Sequence, residues 1–95
     1  MLKITDILPL TDPLEDGVLA EYEIVVESGI GTSTFWAEAR ECQHTEAQID
    51  WSDDLSSLLE KLEAPENCHS QISLAVFQRF IGEPLDYPVV PITST

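Results

Sequence analysis

Positive charge is what this chain most lacks. Of its 95 residues only 4 are Lys or Arg, against 18 Asp and Glu, for a formal net charge of −14. So few cations argue against binding a nucleic-acid backbone, which needs a basic face to release counterions. They argue equally against an anionic membrane surface. Long apolar runs are missing too: nothing approaches the roughly 18 residues of a membrane span. Met1 to Asp6 holds too short an apolar stretch for an export signal, so a cytoplasmic chain is expected.

Cysteine is scarce, limited to Cys42 and Cys68. Without an oxidising compartment both are expected to stay thiols. Together with His44 and His69 they make the inventory of a tetrahedral zinc site, but neither half has the C-x-x-C or H-x-x-x-H spacing such a site uses. Phosphate loops are absent as well, because Gly29-Ile30-Gly31 leads into a strand and not a helix. With no G-x-S-x-G or H-E-x-x-H, no catalytic set is visible. The expectation is a protein that is not an enzyme and carries no cofactor.

What is present is enough to fold. Hydrophobic residues make up 43% of the chain, well above the level of a charged disordered tail. A single domain spanning residues 1–95 is expected. The clearest local signal is in residues 18–27, where Ala20, Tyr22, Ile24 and Val26 alternate with Glu21, Glu23 and Glu27. Residues 32–42 answer with Phe35, Ala37 and Ala39 on one face and Thr34, Trp36, Glu38 and Arg40 on the other. A turn at Ile30-Gly31 would set Val26 opposite Phe35, Ile24 opposite Ala37 and Tyr22 opposite Ala39. In that register Glu21 faces Arg40, Glu23 faces Glu38, and Val25 neighbours Trp36. A one-residue slip would carry Trp36 and Glu38 onto the apolar face, so the pattern disfavours it.

Around this hairpin the signals are coarser. Met1 to Leu10 reads as a short edge strand or one helical turn, ended by Pro9. Residues 11–17 read as a loop and residues 43–51 as a polar connection. Ser52 is placed to cap a helix whose first turn holds Asp53 and Asp54, where the helix dipole favours negative charge. Leu55, Leu58, Leu59 and Leu62 form its apolar stripe, and Pro65 ends it. Residues 67–70 read as a link. Residues 72–81 read as a buried second helix, with a strand as the alternative because Ile72, Leu74 and Val76 alternate. The Pro-rich segment 84–95 is expected to run extended, with Leu85, Tyr87 and Val89 covering the core; a P-x-x-P ligand at Pro88–Pro91 is the weaker reading. The fold class is therefore α+β, a hairpin with a candidate third strand packed on two helices.

Acidity matters for function only where it is gathered. Spread evenly over about 5,500 Å² of surface, the carboxylates would stand about 17 Å apart, beyond the Debye length of about 10 Å at 0.1 M salt. The hairpin's polar face concentrates Glu21, Glu23, Glu27 and Glu38 beside Trp36. That face reads as a plain solvated surface, as an acidic surface with an aromatic anchor for a basic protein, or as a face covered by helices with Trp36 in the core. Asp50, Asp53 and Asp54 form a second group around Trp51, explained by helix-terminal stabilisation or by part of the same binding surface. The leading expectation is an acidic module that inhibits or regulates a positively charged partner such as a nuclease or a nucleic-acid-binding protein. Nucleic-acid mimics, immunity proteins and phage inhibitors share this charge and size, which is analogy alone. The alternative is a calcium binder that draws on Asp12, Glu15 and Asp16, or on Asp50, Asp53 and Asp54. Neither group has EF-hand spacing.

Overall fold

The computed structural model describes residues 2–29, 31–44, 46–63 and 66–89. Strands β1 (Lys3–Pro9), β2 (Val18–Ser28), β3 (Gly31–Arg40) and β4 (Gln48–Trp51) precede helices α1 (Asp53–Lys61) and α2 (Glu66–Ile81). The strands make one antiparallel sheet in the order β1-β2-β3-β4. The class is α+β, and the sheet has four strands where the sequence suggested two or three.

Each strand buries alternate residues on one face. Ile4 and Ile7 of β1, Tyr22, Ile24 and Val26 of β2, and Ala37 of β3 join Leu55, Leu58 and Leu59 of α1 and Ile72, Ala75 and Val76 of α2 in a single core. Both helices therefore lie on the apolar face of the sheet. The third reading of the hairpin, helices over its acidic side, is corrected by this arrangement.

The hairpin forms in a register displaced by two residues from the expected one. Ser28 pairs with Gly31, which puts Ile24 opposite Phe35, Tyr22 opposite Ala37 and Val26 opposite Ser33. A shift of two keeps every side chain on its face, so alternation alone cannot distinguish these registers. In the register that forms, Gly31 opens β3 with a φ of +123°, accessible to glycine and costly for other residues. The pairings change with it. Glu21 faces Glu38 and not Arg40, Glu23 faces Trp36 and not Glu38, and Val25 faces Thr34. Ala20 pairs with Ala39 in the same register, and a bulge between Val18 and Ala20 then sets Val18 opposite Arg40 and leaves Leu19 43% exposed.

Of the two readings of the N-terminal segment, the edge strand is the one that forms. Two further assignments change. The polar connection 43–51 contains β4, where Ala39 pairs with Ile49 and Ala37 with Trp51. The link at 67–70 is helical, because α2 begins at Glu66. α2 is also less enclosed than its composition suggested: Leu74 is 54% exposed. Past the helix, Val89 bridges Ile4 through two backbone hydrogen bonds of 2.8 Å. Leu85 and Val89 pack on the core, whereas Tyr87 is 40% exposed. The extended reading of 90–95, with Pro91 of the P-x-x-P match, falls outside the described residues.

Candidate functional site

The open face of the sheet is built by the same alternation that makes the core. Because Glu21 pairs with Glu38 and Glu38 pairs with Asp50, three carboxylates stand side by side across β2, β3 and β4. Neighbouring strands bring such residues to about 5 Å between Cα atoms. Like charges directly opposite one another are destabilising. The central member, Glu38, is only 6% exposed, the one charged residue in the buried class among those described.

One cation answers this row. Arg40 Nη1 donates to Glu38 Oε1 at 3.0 Å. The Glu38 hydrogen bond, followed by the Glu38 charge, holds the guanidinium above its ordinary pKa, and Asp50 and Glu15 add to the effect. Glu15 thus acts on the row from the loop before β2. That loop is fastened where Glu41 N donates to the Gly17 carbonyl at 2.7 Å, with Gly17 at a φ of +84°.

Trp36 sits next to the row. Its Nε1 donates to Glu21 Oε2 at 2.7 Å, which fixes both side chains across the hairpin and leaves the indole half-buried. A cavity of about 380 Å³ opens beside it, lined by Leu10, Glu23, Phe35, Trp36, Ser52 and Asp54 among others. β4 carries Ser52 there: Ser52 N donates to the Trp36 carbonyl at 2.9 Å, and the chain then turns into α1. Ser52 is the N-cap residue by backbone position, but its side chain makes no capping bond. Its Oγ is buried without a hydrogen-bond partner, contrary to the expected cap.

The remaining expected site residues are dispersed. Glu27 lies on the open face opposite Lys3, an opposite-charge cross-strand pair at the far end of the hairpin. The group around Trp51 is divided. Asp50 joins the carboxylate row, while Trp51 packs against the core side, where its Nε1 donates to Ser56 Oγ at 3.0 Å. Asp53 is exposed in the first turn of α1, and Asp54 reaches the cavity. Asp12, Glu15 and Asp16 are exposed in their loop. Among the described residues no group of three or more His, Cys, Asp or Glu side chains is placed to hold a metal ion. The calcium alternative has no gathered donor set there, and the same holds for Cys42, His44, Cys68 and His69. Burial in α2 pushes the Cys68 thiol above its ordinary value, the opposite of what a ligating or nucleophilic thiolate needs.

Sequence reasoning missed Arg40 as the partner of Glu38, and Leu10, Phe35 and Ser52 as cavity walls. Only the alternation of Ile49 and Trp51 with Gln48 and Asp50 could have announced β4 and the third carboxylate.

The row has a measurable consequence. Paired residues on neighbouring strands, about 5 Å apart at Cα, lie well inside the Debye length of about 30 Å at 0.01 M salt but outside the roughly 3 Å at 1 M. The melting temperature of the isolated chain is expected to rise by a few degrees as NaCl goes from low to high concentration. Asp50→Asn is expected to flatten that rise. Equal midpoints across the salt series would mean that the row does not repel.

No family model, no curated protein and no solved structure matches this chain. Among the described residues no helix is long and apolar enough to cross a membrane.

Proposed function

We propose that the chain is an acidic protein-binding module that inhibits or regulates a positively charged protein, such as a nuclease or a nucleic-acid-binding protein, and that it is not an enzyme. The observation that carries this reading is the carboxylate row Glu21–Glu38–Asp50 beside half-buried Trp36, on the sheet face turned away from the helices. A fold that needed only stability would not align like charges across three strands. A face that meets a basic partner gains from the same alignment, because the partner's cations relieve the repulsion as they bind. The long-range field steers the encounter, and the aromatic beside it supplies contact area that charge alone cannot.

In this reading the module occupies the partner's basic surface and so competes with whatever polyanion that surface serves. The test is a binding series of the intact chain against a panel of basic nucleases and nucleic-acid-binding proteins, with duplex DNA as competitor. A binder is expected whose on-rate falls by about tenfold or more between low and moderate salt, as steered encounters do, and whose DNA binding is displaced. Salt-insensitive association, or none across the panel, would remove the proposal.

A further inference from the structure

We infer that the cavity beside Trp36 is a receptor for an arginine side chain of the basic partner. This rests on the reading of the open face as a surface for a basic protein, and it names the group that face would capture. Two independent features of the cavity converge on a planar cation. Its walls include Trp36, half-buried so that part of the indole stays accessible. A guanidinium stacks on such a ring through both its charge and its flat shape. Two carboxylates, Glu23 and Asp54, reach it from β2 and α1, and among the described residues no Lys or Arg lines it. Glu21 is already engaged by the indole N–H, and Glu38 by Arg40, so Glu23 and Asp54 are the acidic groups left to receive a cation.

A guanidinium presents five N–H donors in a fixed fork, so it can serve two carboxylates at once while lying on an indole. An ammonium has three donors on a compact, strongly hydrated head and no flat face to stack. The cavity therefore discriminates between the two kinds of basic side chain, whereas the carboxylate row attracts both alike.

The experiment titrates the intact chain, at constant ionic strength, with the capped peptide acetyl-Gly-Arg-Gly-amide and its lysine and citrulline counterparts. The indole N–H resonance of Trp36 is followed by NMR, with Trp51 as internal reference, and polylysine serves as a separate probe of the whole face. The arginine peptide is expected to shift the Trp36 resonance saturably and to bind about fivefold more tightly than the lysine peptide, the scale of one stacked cation–π contact. The uncharged citrulline peptide is expected to leave the resonance in place. Glu23→Gln with Asp54→Asn is expected to abolish the preference. Asp54→Asn alone, a smaller change that serves if the double variant does not fold, is expected to reduce it. Equal binding of the arginine and lysine peptides, or a response that survives these substitutions, would overturn the arginine site. If polylysine still bound in a salt-dependent way, the acidic-face reading would stand without it. Failure of the peptides and polylysine together would overturn both.

Discussion

Leu59→Ala is expected to destabilise the chain by about 2–5 kcal/mol, the range for emptying a well-packed leucine site. Leu59 is fully buried, as is Leu55 one turn earlier. Leu59 sits in the one core that α1 shares with the sheet and α2, where neighbours relax only partly into a void. A small domain has only about 5–15 kcal/mol of stability in all, so the loss should lower the melting temperature by about 8 °C or more. Two companion substitutions make the result specific to the architecture. Leu62 continues the same stripe, yet it is the C-cap residue of α1 and only partly buried, so Leu62→Ala should cost clearly less than Leu59→Ala. Leu74 looks like core by composition but is 54% exposed, so Leu74→Ala should stay within about 0.5 kcal/mol. Urea denaturation of the three variants checks the ranking. Equal losses at 59 and 74 would mean that α2 is enclosed on both sides.

That ranking marks where sequence patterning stops informing. Period-two alternation sorted β2 and β3 into an apolar and an acidic face, and the structure keeps each of those residues on its assigned side. The same period is blind to a slip of two residues. The pairing of Ser28 with Gly31, which alternation does not encode, goes with Glu21 against Glu38 rather than Arg40. The distinction is chemical as well as geometric, since one register pairs opposite charges and the other opposes like ones. β4 escaped notice because four residues hold only two alternations, inside a stretch whose composition resembles a loop. Asp50 was accordingly grouped with Asp53 and Asp54 by nearness in sequence, whereas strand pairing assigns it to Glu38. Ser52 shows the limit from the other side: the residue type fits a cap and the backbone occupies the capping position, but the hydroxyl makes no capping bond. Local preference names a candidate, and the tertiary neighbours decide how it is used.

For the proposed interaction, Trp36→Ala is expected to weaken binding to the basic partner by roughly thirtyfold or more, the effect of removing a central aromatic hot spot of about 2 kcal/mol. The loss should appear mainly in the dissociation rate. An aromatic contact forms only after the two surfaces have met, while steering acts on the approach. Glu21→Gln with Asp50→Asn should do the reverse, slowing association and flattening its salt dependence with a smaller change in dissociation. Trp36→Phe separates the two duties of the indole. It keeps a ring on the face but deletes the Nε1–H bond to Glu21, and should fall between Trp36→Ala and the unaltered chain. Each variant's melting curve guards against confusing lost binding with lost fold, because Trp36 contributes its ring to the open face and not to the buried cluster. Stopped-flow association at several salt concentrations, paired with dissociation by dilution, resolves the two rates. If Trp36→Ala changed only the on-rate, the indole would be acting through its hold on the Glu21 carboxylate. The face would then bind by charge alone, with no aromatic anchor.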